Sequence, residues 1–523
     1  MRKLLLVILV VGMVGCRSRP AKQPTNTLIY GRGEDAKTLD PINAETGETV
    51  KVILNLYDTL VAFCDETLEI VPSLAESWET SEDGLSWTFH LREGVKFHDG
   101  TPLTADAVVF SFQRLMQDDN PFVGDPARPY KPSYQVIQKI TAVDPLTVTF
   151  ELGQPNAVFL NNVAMFPTSI VSPTAVKKDI KGFGTNPVGT GPFKFNRWLR
   201  DQQLVLEAND NYWRERPRID RVIFVPVSES ATRVQQLRRG EIHIADNLPP
   251  QELDALAKID GLEILEQVSM NAAYLAMQTE KPPLDDVRVR QAIGMAIDKQ
   301  SLARVAYAGH AIPAVNLLPR DMWGHNNDIE DRPFDINAAR KLLQEEAAEK
   351  GFELPLKLSL SVMSEPRPYM EQPLQVAAFV KDALAEIGIN ATIDPKPVTP
   401  HFAAMMAGEF EIGLAGWTTD NGDPDNFLYS LLDLDNISDS GNNMSRYRNE
   451  ELHALLLAGQ RELDRDKREQ IYHRAQELIF ADAPIIPLVS TRQRAVQSSR
   501  VKGYKLHPGM LIRLRHAYLE GTP

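Results

Sequence analysis

Residues 354–393, LPLKLSLSVMSEPRPYMEQPLQVAAFVKDALAEIGINATI, change their apolar period twice. Leu354, Leu356, Leu358, Leu360 and Val362 alternate strictly, which is the period of a strand. Val376, Phe379, Val380, Ala383, Leu384 and Ile387 then recur at the spacing of one buried helix face. Gly388 is placed to end that helix, and Ile389, Ala391 and Ile393 alternate again. Strand, helix and strand in this order make a βαβ unit, which implies a parallel sheet in an α/β fold. Residues 401–407 read as helical, and Phe410, Ile412 and Leu414 open a further strand running to about Gly416. In open α/β sheets ligands bind beyond the carboxyl ends of the strands. There, one loop carries Ser364-Glu365-Pro366-Arg367-Pro368-Tyr369 and the other carries Trp417-Thr418-Thr419-Asp420 through Asn426. Both emerge on the same edge if their strands are parallel. A guanidinium on one and a carboxylate on the other suit the two ends of a zwitterion: Arg367 for a carboxylate, Asp420 for an ammonium. The competing structural reading has both side chains serving local loop structure or pairing with each other.

Outward from this unit, Asp285 or Asp286 is placed to cap a helix with Val289, Ala292, Ile293, Ala296 and Ile297 on one face. The first half of the chain has another texture, with short strands at Thr27–Tyr30, 85–91, Thr147–Leu152 and Leu204–Glu207 and a helix over Thr104–Leu115. At 523 residues the chain exceeds one ordinary core, so two or three domains are expected. A net charge of −14 argues against nucleic acid, which needs a basic footprint. Only two cysteines are present, Cys16 and Cys64, so a disulfide framework and a Cys-based zinc site are both excluded. Cys64 reads as a buried small hydrophobe.

Arg2 and Lys3 precede the apolar run Leu4–Val11, too short for a comfortable membrane span and suited to a signal peptide over 1–15. The run leads to Met13-Val14-Gly15-Cys16, which resembles a lipobox with Cys16 as the lipidated first mature residue. Residues 16–26 read as a flexible tether. Nucleophile and zinc-hydrolase motifs are missing. Gly189-Thr190-Gly191 reads as a tight turn, because Pro192 follows and a third glycine is lacking. The acidic run from Asp420 to Asp425 does not make an EF-hand, since the twelfth position counted from Asp423 is Leu434.

Several segments resemble family 5 of the extracellular solute-binding proteins, the peptide- and nickel-binding group. They are Ala75-Glu76-Ser77-Trp78 with Glu82-Asp83-Gly84-Leu85, Phe97-His98-Asp99-Gly100-Thr101-Pro102-Leu103-Thr104, Asn186 through Phe193, and Leu284 through Ala292. Within that family, Gly416-Trp417-Thr418-Thr419-Asp420 and Arg367-Pro368-Tyr369 are similar to the dipeptide-binding branch. Thr419 stands where that branch usually has glycine. The branch's downstream cysteine pair is missing, with Leu434 and Arg448 near its place.

The resemblance implies a bilobed periplasmic-binding-protein fold, type II-like, with two lobes joined by a two-segment hinge. Lobe I would hold 27–272 plus 488–523, with a subdomain inserted at about 45–185, and lobe II would hold 273–487. It implies that Asp420 takes a peptide ammonium and Arg367 its carboxylate, with Trp417, Tyr369, Gly416 and Thr419 walling the pocket. It further implies a monomeric, lipid-anchored, exported binding protein, in the periplasm or on the outer face of the cytoplasmic membrane. Such a protein is not an enzyme and needs no cofactor. It delivers small peptides to an ABC permease and its ATPase subunits; this chain has no Gly-x-x-x-x-Gly-Lys-Ser/Thr loop of its own. The alternatives left open are capture of nickel, haem or another non-peptide solute, or ligand sensing without transport.

Overall fold

The computed structural model describes residues 26–521. Residues 1–25, on which the expected signal peptide, the lipidation of Cys16 and most of the expected tether fall, lie outside the described residues. The βαβ unit forms as its periodicity predicts. Strand Leu356–Met363 is followed by helix Pro373–Glu386 and strand Ile389–Lys396, and the two strands pair in parallel. Gly388, at φ +91°, turns the chain just past the helix, in the left-handed region that only glycine enters without strain. Val376, Val380, Leu384 and Ile387 are buried against Leu358, Leu360 and Val362 in one core. The third strand, Ile412–Thr418, runs parallel to Leu356–Met363, so the two loops singled out above leave the same sheet edge.

Ten strands lie side by side, and two more pair with the longest of them, Ile485–Ser498. That strand pairs through its first half with Asn271–Met277 and Ala311–Pro313, and through its second half with Leu262–Val268 and Ile244–Asp246. Beyond Ile244–Asp246 the sheet continues through Thr27–Arg32 and Arg221–Pro226. Separate buried cores flank the two halves of this strand. One is built around Leu28, Tyr30, Leu206 and Phe224, the other around Leu275, Leu360, Leu414 and Leu488. The chain passes between the halves twice: at Ser269-Met270, between strands Leu262–Val268 and Asn271–Met277, and within Ile485–Ser498 itself.

A separate four-stranded antiparallel sheet, in the order Ala75–Thr80, Ser86–Leu91, Thr147–Leu152, Ile137–Asp144, packs its own core of Phe89, Phe112 and Phe150. Helix Ala105–Met116 starts after Thr104, and Asp286 caps helix Val287–Met295 by accepting the Arg288 N–H at 2.8 Å. The Gly189-Thr190-Gly191 turn is tight for a steric reason. A Cβ on either glycine would lie 2.3–2.4 Å from the backbone of Leu56 or Tyr57 and its ring. Cys64 corrects one expectation. It is only partly buried, because the chain leaves strand Val61–Phe63 there and spends the Cys64 backbone on bonds to Glu69 and His507. No helix among the described residues is long and apolar enough to cross a membrane.

Candidate functional site

The loop after strand Ile412–Thr418 is held by its own side chains. The Thr419 hydroxyl accepts the Gly422 N–H at 2.8 Å, and the Thr419 N–H reaches the Met270 carbonyl at 3.0 Å. The Asn426 side-chain oxygen Oδ1 accepts both the Trp417 indole N–H, at 2.9 Å, and the Asp420 N–H, at 3.1 Å. Below them, Arg468 grips both oxygens of buried Asp423 at 2.9 and 2.8 Å, gives its Nε–H to the Gly459 carbonyl, and lies under Trp323. Thr419, buried, thus organises the turn, while Trp417 and Asp420 stay partly exposed at its edge.

Asp420 faces residues from the other half of the molecule. Its Oδ1 accepts the Tyr130 hydroxyl at 3.3 Å. Next to it, the Asn161 amide donates to the Asn421 carbonyl at 2.9 Å, and the Asn421 amide donates to the Asn162 side chain at 2.8 Å. Leu68 closes over Gly422. Burial pushes the Asp420 carboxyl up to about 6; hydrogen bonds from Tyr130 and Asn426 offset this in part, and no cation among its neighbours does so. Asp425 is pushed up to about 7 for the same first cause, reinforced by the adjacent Asp423 charge.

Arg367 stands exposed in a tight turn closed by its N–H to the Met370 carbonyl at 3.0 Å and the Met370 N–H to its own carbonyl at 2.9 Å. The guanidinium lies beside the Tyr369 hydroxyl, whose proton affinity burial pushes up to about 12 and Arg367 pulls back. The Tyr369 ring packs flat on the backbone of Gly416: a Cβ there would fall 2.2 Å from Cδ2 and 2.5 Å from Cγ. Tyr369 thereby ties the Arg367 loop to the Asp420 loop, although Arg367 and Asp420 make no contact with each other. The structural reading in which they neutralise one another is therefore set aside. A Gly416→Ala variant should force Tyr369 out of place at a cost of about 1–3 kcal/mol, visible as a lower urea midpoint with an unchanged slope.

Tyr130, Asn161 and Asn162 were missed in the sequence. They lie 259–290 residues from their partners, in segments with no local motif. Metal-ligating side chains converge at one further place among the described residues, Asp433, Asp435 and His453. There the His453 Nδ1 sits 3.0 Å from both Asp433 oxygens, and its hydrogen bond to that carboxylate raises its proton affinity.

A mixed α/β chain whose two sheet halves share one strand and meet through polar side chains around Asp420 and Asn421 fits a bilobed periplasmic binding protein. The solved structure of the ABC transporter-associated periplasmic binding protein DppA from Helicobacter pylori, in complex with peptide STSA, matches it with a TM-score of 0.83 at 34% identity, over 94% of this chain and 98% of that one. The chain belongs to the bacterial extracellular solute-binding proteins, family 5 Middle, whose model matches residues 69–439. Similar curated proteins are the dipeptide-binding protein of Escherichia coli strain K12, 33% identical over 93% of this chain and 94% of that one, and heme-binding protein A of Haemophilus influenzae, 37% identical over 87% and 85%.

Proposed function

We propose that this protein captures small peptides, dipeptides foremost, for an ABC importer, and that it acts by binding rather than by catalysis. The observation that carries the reading is Asp420: a carboxylate enclosed between the two halves, with hydrogen-bond donors but no protein cation. An enclosed charge without a counter-ion is costly, and an ammonium from the ligand supplies one. Arg367, exposed across Tyr369 and free of any ion pair, is the partner for the peptide carboxylate. Trp417, Tyr369 and the backbone of Gly416 wall the space between, and Thr419 holds the turn that presents them.

In this reading lobe I comprises 27–272 plus 488–523, with an inserted subdomain at about 45–185, and lobe II comprises 273–487. Ligand favours the closed form because only closure engages both lobes. The closed monomer then docks on a membrane permease with its ATPase subunits. Cys16 carries the lipid anchor after removal of 1–15, holding the protein outside the cytoplasm.

Calorimetric titration of the mature, ligand-stripped protein with dipeptides, beside N-acetylated and C-amidated forms, tests the zwitterion clamp. Free dipeptides should bind at micromolar affinity, about −8 kcal/mol. Blocking the amine should abolish binding. Blocking the carboxylate should weaken it by about 10- to 100-fold, and Arg367→Gln should erase the difference between the free and amidated forms. Equal binding of blocked and free forms would sink the clamp. The Haemophilus relative's name makes haem the second reading, so hemin and Ni²⁺ belong in the same panel. Haem's anionic carboxylates would meet Asp420 as a like charge, which favours the peptide.

A further inference from the structure

A second polar cavity opens at the junction of the two sheet halves, one residue from Arg367. Its walls include Leu248 from one half, Pro368 and Glu371 from the other, and Gln493 and Arg494 from the strand Ile485–Ser498 that joins them. It borders the candidate site on two sides. Pro368 lies between Arg367 and Tyr369, and its carbonyl accepts the Thr491 hydroxyl at 2.9 Å. Asn271, also in the wall, is the strand partner of Thr418, which follows Trp417.

Most polar groups in these walls are already committed. The Asn271 amide donates to Ser269 and Thr491, and its oxygen accepts the Thr491 N–H at 2.9 Å. Arg492 is engaged with Glu266 at 3.2 Å. Arg494 differs. It is only 6% exposed, and its Nη2 pairs with Glu371, yet its Nε and Nη1 have no protein partner. Two buried N–H-bearing nitrogens without a protein acceptor are costly, and an acceptor entering the cavity that Arg494 lines would relieve that cost. A guanidinium selects carboxylate oxygens over neutral acceptors, because charge-assisted hydrogen bonds are roughly twice as strong.

We propose that Arg494 is a specificity-determining residue: it receives the side-chain carboxylate of an acidic last residue of the bound peptide. The placement rests on the reading above, in which Arg367 holds the main-chain carboxylate of that same residue. Glu371 keeps the empty subsite close to neutral, and the incoming carboxylate takes the open nitrogens beside it.

The test is calorimetry with Ala-Glu, Ala-Gln and Ala-Ala on the full mature chain, in wild type and in Arg494→Gln and Arg494→Lys. Wild type should bind Ala-Glu at least tenfold more tightly than its isostere Ala-Gln. That ratio should fall to near one in Arg494→Gln and stay above one in Arg494→Lys, which retains the charge. Equal affinities for Ala-Glu and Ala-Gln in wild type, with Ala-Ala binding normally, would overturn the subsite and leave the peptide reading standing. So would an acidic preference that survives Arg494→Gln. If none of the three dipeptides binds wild type, the peptide reading fails and the subsite fails with it.

Discussion

Replacing Asp420 by Asn should lower dipeptide affinity by at least about 100-fold, since a charge-assisted bond in an enclosed site is exchanged for a neutral one and the ligand ammonium loses its counter-ion. The same change should make the ligand-free protein close more readily. With Tyr130, Asn161 and Asn162 of the other half packed around its loop, the Asp420 carboxyl is pushed up to about 6, against an ordinary 3.8. A carboxyl raised in this way favours the closed form below that window and opposes it as pH rises through it. At neutral pH the opposition amounts to about 2–3 kcal/mol. Asn has no such charge, so small-angle scattering of unliganded Asp420→Asn should give a radius of gyration near that of liganded wild type. Binding should show the matching sign. Wild-type affinity should hold while the open form's Asp420 is ionised and fall roughly tenfold per unit below its ordinary 3.8, as the proton competes with the ligand's ammonium, while the variant's residual affinity should be flat across that range. A wild-type profile flat from pH 7 down to pH 3 would remove Asp420 from the ammonium's path.

Arg468→Met should be the most destabilising single change in the Asp420 loop. Arg468 alone neutralises Asp423, which is 1% exposed, and it lies close enough to lower the proton affinity of Asp425 as well. Removing one partner of a buried pair leaves the other's charge stranded, at a cost of about 3–5 kcal/mol. Urea unfolding should register that loss. Adding Asp423→Leu to Arg468→Met should recover much of it, because replacing both members with apolar groups is far milder than removing one. Full stability in the single variant would show that Asp423 takes up a proton without cost. The effect reaches function through the loop: Asp423 anchors the segment from which Asn426 orients Trp417 and Asp420, so dipeptide affinity should fall together with stability.

What could be read from the sequence divides along the range of the interactions. The βαβ unit was legible because period and turn chemistry are local: Leu358, Leu360 and Val362 alternate, Val376, Val380 and Leu384 stripe a helix, and Gly388 must take a positive φ. Its parallel pairing then put the Arg367 and Asp420 loops on one edge, as expected. Tyr369 lying on Gly416 was not legible, although both residues had been singled out, because nothing in their spacing says that the ring needs the missing Cβ. Tyr130, Asn161 and Asn162 had no local signal at all; only closure of the chain on itself brings them to Asp420 and Asn421. The acidic run carried information of another kind. Asp423 serves Arg468, Asp425 lies near that guanidinium without an ion pair, and Asp420 has no basic neighbour, a distinction that depends on residue 468 and not on the run itself.

The strand Ile485–Ser498 has a consequence for how the molecule can be taken apart. Each half of the sheet borrows its edge from this one segment: Asn271–Met277 needs the first half and Leu262–Val268 the second. Fragments severed near Ser269 would leave the N-terminal piece with bare ladder groups along Leu262–Val268 and Ile244–Asp246, a template for mispairing between copies. Neither piece is a transplantable module, and a split reporter built on this scaffold should instead place its break in an exposed loop of the inserted four-stranded sheet, which closes its hydrogen bonds within itself.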